Sequence, residues 1–94
     1  MTYQDYDRLL SFDSVHHAIK AEKILSDAGI PAYALPTPRQ IDISCGQCLL
    51  FAAAQENKLL SLLTGHKVRW AKLFSRVPAG NGTYIYEKIN DYGG

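Results

Sequence analysis

Residues 13–35 read DSVHHAIKAEKILSDAGIPAYAL, and the fold is decided there. Asp13 or Ser14 offers a helix N-cap, because a short side-chain oxygen accepts a hydrogen bond from an orphan amide of the first turn. The spacing then predicts a helix to Ala28, with Gly29 as the residue just past its end. At 3.6 residues per turn, Ala18, Ala21, Leu25 and Ala28 form one apolar stripe, flanked by Ile24. His16, Lys20, Lys23 and Asp27 fall on the opposite, solvated face. The small alanines let this helix lie close to a sheet. Ile30 to Leu35 follows at once as a strand, with Pro31 near its start, where a missing amide is tolerated.

Working outward, Tyr6 to Phe12 reads as the preceding strand, with Tyr6, Leu10 and Phe12 on one face and Leu9 on the other. After Leu35, Thr37-Pro38 breaks regular structure, since a residue before proline avoids the helical region. The segment Pro36 to Gln47 has no helix or strand period, apart from a short strand-like piece at Ile41 to Ile43. Cys48 to Ala53 is an apolar run of strand length. A second helix is expected from Gln55 to Leu63, with Leu59, Leu60 and Leu63 on its buried face and Gly65 as its stop. Val68 to Val77 reads as a long strand in which Val68, Trp70 and Phe74 alternate with Arg69, Ala71 and Leu73. Pro78 to Gly82 is a turn, and Thr83 to Ile89 is a last strand that forms a hairpin with its predecessor. Asn90 to Gly94 reads as a frayed tail.

Strand, helix, strand, loop, strand, helix, strand is the split βαβ pattern of an α+β, ferredoxin-like βαββαβ sandwich, here with an added C-terminal strand. Two helices would cover one face of an antiparallel sheet. With 94 residues the chain makes a single domain, its core at about 6–77 and a C-terminal hairpin strand and tail at 78–94. The exposed sheet edge at Thr83 to Ile89 fits a homodimer.

Composition narrows the function. With 47% hydrophobic and 20% charged residues the chain is globular rather than disordered. A net charge of +1 gives no reason to expect nucleic acid or an anionic membrane as partner. No apolar run approaches the roughly 18 residues that span a bilayer. Met1 to Arg8 is polar and carries Asp5 and Asp7, unlike a signal peptide, so the expected compartment is the cytoplasm. There, two cysteines stay reduced and are structural, redox-active, metal-binding or nucleophilic.

Both cysteines lie in or beside the unpatterned loop. Cys45 stands in Ser44-Cys45-Gly46, downstream of Pro36, Thr37, Pro38 and Arg39. A working thiol needs access and a stabilised thiolate. Gly46 allows close approach of a partner's backbone, Arg39 supplies positive charge, and loop amides can form a small anion nest. The bland alternative is a buried cysteine that acts as a small hydrophobe. Cys45 and Cys48 together form a C-x-x-C, but that spacing favours redox work when it opens a helix, and here it leads into a strand. Cys48 begins the apolar run and is expected to pack in the sheet, while remaining a candidate second thiol. Zinc would need further ligands from His16, His17 and His66, and adjacent His16 and His17 point about 100° apart on a helix. No metal or cofactor is expected. Glycine-rich phosphate loops, nucleophile elbows and metalloprotease helices do not occur. Tyr84, Tyr86 and Trp70 lack the basic interleaving of a nucleic-acid surface and read as core or interface residues.

The run Leu35-Pro36-Thr37-Pro38-Arg39-Gln40-Ile41 followed by Ser44-Cys45-Gly46 resembles a small bacterial family, the selenium/sulfur (Se/S) carrier protein-like proteins. Ser14-Val15-His16-His17-Ala18, Ala21-Glu22-Lys23 and Ala28-Gly29-Ile30 are similar to that family's first helix, and the likeness covers about residues 8 to 77. The resemblance implies a carrier that holds selenium or sulfur on Cys45, with a donor enzyme and an acceptor protein as partners. Cys48 departs from the expected pattern, and residues from Pro78 onward extend it. The chain is thus expected to be a thiol carrier rather than a stand-alone enzyme. The alternatives are a non-enzymatic binding module or a C-x-x-C thiol-redox protein.

Overall fold

The computed structural model describes residues 6–38 and 47–92. Its elements are β1 (Arg8–Ser11), α1 (Val15–Asp27), β2 (Tyr33–Leu35), β3 (Cys48–Phe51), α2 (Glu56–Gly65), β4 (Lys72–Gly80) and β5 (Thr83–Asp91), with a 3₁₀ turn at Ala53–Gln55 leading into α2. The class is α+β. The five strands form one antiparallel sheet in the order β2-β3-β1-β4-β5. Because β3 pairs antiparallel with both β1 and β2, those two run parallel to each other with β3 between them.

α1 begins and ends as its residues dictate. Ser14 is the N-cap, and its Oγ accepts from the His16 amide at 3.2 Å. Past Asp27, Gly29 takes φ +74°. Its amide donates to the Ser26 carbonyl and that of Ile30 to the Leu25 carbonyl, which closes a Schellman cap. Ala18, Ala21 and Leu25 are buried, while Ala28 is exposed. α2 ends the same way but without the glycine that was expected to stop it. Gly65 lies inside the helix and Lys67 adopts φ +60°. The Lys67 amide donates to the Thr64 carbonyl, and that of Val68 to the Leu63 carbonyl.

Alternation along the strands sorts the core into two clusters. Leu10, Phe12, Leu49, Phe51 and Leu73 face the helices and pack with Ala18, Ala21, Leu25, Leu59 and Leu63. Leu9, Cys48, Leu50 and Phe74 point to the other face and pack with Tyr6. Tyr6 therefore joins Leu9 rather than Leu10 and Phe12; it precedes β1, so strand alternation does not govern it. Val68 and Trp70 are buried in the helix-side cluster but precede β4, which starts at Lys72 and runs on to Gly80. Leu73 and Phe74 then fall on opposite faces.

The β4–β5 turn is only Asn81-Gly82, both with positive φ (55° and 76°), as a tight primed hairpin turn requires. The C-terminal part is no frayed tail as far as Tyr92. Asn90 and Asp91 complete β5. The Tyr92 amide donates to the Ala71 carbonyl at 3.0 Å, and its ring meets Trp70 edge-on at 5.4 Å. At the opposite end of the sheet Arg8 bonds Glu56 at 3.0 Å, and Asp7 accepts the Ala53 amide at 2.8 Å, which fastens β1 to the start of α2.

Candidate functional site

The register brings one row of residues to one end of the sheet. Ser11 pairs with Cys48 on one side and Lys72 on the other; Cys48 pairs with Leu35 and Lys72 with Asp91. The row is Leu35, Cys48, Ser11, Lys72, Asp91. The unpatterned loop leaves the sheet after Leu35 and re-enters at Cys48, so both of its roots stand on this row. Pro36, Thr37 and Pro38 form the outgoing root, and Gln47 precedes the returning strand. Arg39, Ser44, Cys45 and Gly46 lie outside the described residues, as does the strand-like piece at Ile41 to Ile43.

Cys48 is placed in full. Its side chain is 0% exposed, within the cluster of Leu9, Leu50 and Phe74. The thiol donates to the Leu35 carbonyl at 3.5 Å, with the Pro36 carbonyl at 3.9 Å. It stitches the two loop roots together across adjacent strands. A thiol held this way has no open approach for a substrate, so its geometry is that of a packed residue. Thr37 has its Oγ1 buried.

The same end of the sheet carries a feature the sequence reading missed. A cleft of about 500 Å³ is lined by Asp13, Ser14, His17, Arg69, Trp70 and Lys72, with Asp91 and Tyr92. Lys72 stands two strands from Cys48, roughly 10 Å at the usual interstrand spacing. His17 Nδ1 accepts the Arg69 amide at 3.1 Å, a bond that requires an unprotonated Nδ1 and so places the neutral ring's proton on Nε2. Arg69 also lies over the Tyr92 ring, at 5.8 Å. Nothing in the sequence signals a bond that spans 52 residues.

The remaining candidates sort plainly. His16 and Glu22 are exposed. Trp70 is core at 8% exposure; Tyr86 packs on the Cys48 cluster, and Tyr84 stacks on the Arg76 guanidinium at 3.5 Å. Among the described residues no three of histidine, cysteine, aspartate and glutamate converge as metal ligands, and no helix is long and apolar enough to cross a membrane.

The fold defines a small α+β protein, two helices on a five-stranded antiparallel sheet, with Leu35 and Cys48 side by side at one end of that sheet. The family described as "Putative Se/S carrier protein-like" matches residues 7–75, from the start of β1 to the middle of β4, and the chain belongs to that family. No curated protein and no solved structure matches it.

Proposed function

We propose that the protein is a cytoplasmic selenium/sulfur carrier and that Cys45 holds the cargo atom. Membership of the family carries this reading. The state of Cys48 supports it: one of the two thiols is sealed in the sheet and engaged by the Leu35 carbonyl, which leaves the loop cysteine as the one for chemistry. In the loading step the Cys45 thiolate attacks the outer chalcogen of a donor persulfide or selenosulfide. The new sulfur–chalcogen bond forms as the donor's old one breaks, and the donor cysteine leaves as thiolate. An acceptor thiolate later takes the same atom by the same exchange and returns Cys45 to its thiolate. Arg39 and the amides around Ser44 and Gly46 would stabilise both anions, with Pro36, Thr37 and Pro38 framing the loop.

A carrier needs no acid or base of its own, because donor and acceptor enzymes supply them. Neither step asks anything of Cys48, and a Cys45–Cys48 redox pair would have to draw on a fully buried thiol. The sheet order β2-β3-β1-β4 with its two helices supports a ferredoxin-like sandwich, extended by β5.

The test is intact-mass analysis after incubation with a cysteine desulfurase and cysteine, or with selenide under mild oxidation. Wild type and Cys48→Ser are expected to gain one chalcogen atom that dithiothreitol removes, and Cys45→Ser to gain none. If wild type gains no label that Cys45→Ser lacks, the proposal fails, and the absence of label on both favours a binding module.

A further inference from the structure

The two edges of the sheet are built differently. β2 is three residues long, preceded by Pro31 and followed by Pro36 and Pro38, and a short proline-flanked edge resists pairing. β5 is nine residues long and has no neighbour on its outer side among the described residues. It exposes apolar side chains among its polar ones: Ile85 and its cross-strand partner Val77 are each 51% exposed, and Ile89 is 47% exposed. The β4–β5 ladder is regular only from Phe74–Lys88 to Pro78–Tyr84, between two irregularities. Tyr84 to Lys88 is therefore the straight part of the edge.

We propose that this edge joins two copies of the chain, β5 against β5 of the second copy, antiparallel about a twofold axis at Tyr86. A twofold axis keeps each side chain on its own face of the sheet, so the numbers of opposed residues must sum to an even value. Centring on Glu87 opposes Glu87 to its own copy, and centring on Lys88 does the same to Lys88; like charges directly opposite are unfavourable. Centring on Ile85 keeps only Tyr84 to Tyr86 within the straight stretch. Centring on Tyr86 pairs all five straight residues: Tyr86 with Tyr86, Ile85 with Glu87, Tyr84 with Lys88. It opposes no like charges. Lys88 also has its own counter-ion, Asp91 at 3.1 Å, so neither copy brings an uncompensated cation to the seam. The chain thus carries its own complement, which a foreign strand would have to supply by coincidence. The family match ends at residue 75, so the seam belongs to the added hairpin and stands independently of the carrier reading.

Sedimentation velocity on the full chain over a concentration series tests this. Wild type is expected to show a concentration-dependent dimer. Ile85→Asp sets an aspartate against Glu87 twice and is expected to weaken the dimer at least about tenfold. Ile85→Lys, at the same half-exposed position, sets a lysine against Glu87 and is expected to retain it. Ile85→Asp combined with Glu87→Lys is expected to restore it. In a Cys45→Ser background, Tyr86→Cys is expected to form a disulfide-linked dimer on mild oxidation and Lys88→Cys none. Wild type that stays monomeric throughout, or Asp and Lys variants that weaken the dimer equally, overturns the proposal.

Discussion

Lys67 sits at the position of the α2 cap where Gly29 sits in the α1 cap, with φ +60° against +74°. An L-residue in the left-handed region costs roughly 1–2 kcal/mol, because Cβ crowds the following carbonyl. Glycine avoids that crowding but loses more chain entropy on folding. Lys67→Gly is therefore expected to raise unfolding stability by about 0.5–1 kcal/mol, read as a higher urea midpoint with an unchanged slope. A lower midpoint would mean that the lysine side chain makes a contact worth more than the strain. Cys48 is the second informative residue. Cys48→Ala deletes a buried sulfur and its bond to Leu35, and about 1–2 kcal/mol of destabilisation is expected from thermal or urea unfolding, with Cys45 still able to load. Loss of loading in Cys48→Ala at full folding would make Cys48 part of the chemistry. The burial of Cys48 was legible because an apolar run starts at that residue. The stop of α2 was not: glycine at 65 carried the usual end signal, while the cap formed two residues later, where nothing in lysine's side chain announces it.

At the scale of elements, the hairpin depends on its two-residue turn. Gly82 takes φ +76° with open space around its α-carbon, so a methyl group there meets no clash, only an unfavourable backbone. Gly82→Ala is expected to cost about 1 kcal/mol, measured by thermal unfolding, and more than that would show coupling to β5 pairing. Ser14→Ala, which removes the acceptor for the His16 amide, is expected to cost a similar amount. Both helices were readable from their apolar periods, and the strands, apart from their ends, from alternation or from short apolar runs. The start of β4 was not. Val68 and Trp70 alternate like strand residues, yet they are held in the helix-side core by an irregular connection from Lys67 to Ala71. Buried side chains at period two arise from packing as well as from pleat, and sequence alone does not separate the two. The hairpin's reach was underestimated for a related reason. Pro78 and Gly80 read as turn residues, but β4 absorbs them at an irregular, outward position next to the tip.

For the whole molecule, the sequence sets Pro36 to Gln47 apart as the longest stretch without a clear helix or strand period, and residues 39–46 of it lie outside the described residues. Where its roots lie was not legible, because the row from Leu35 to Asp91 is made by pairing between strands far apart in sequence. The same pairing makes β5 more than an appendage. It covers β4 along its length, Tyr92 closes over Trp70, and Tyr86 rests on the Cys48 cluster. The family match nevertheless stops at residue 75, halfway along β4. A chain ending at Gly80 therefore tests whether the fold stands without its last strand. Removing two largely buried tyrosine contacts and a nine-residue ladder is expected to lower stability by at least about 3 kcal/mol. It also turns β4, with Leu73 and Phe74, into a new edge. The shortened chain should melt at lower temperature and self-associate as β4 seeks a partner. Unchanged melting, with a monomer in sedimentation, would show that β1, β3 and the helices hold the core unaided. In that case the hairpin would serve association between copies alone, and the sheet end with the loop roots would keep its geometry without it.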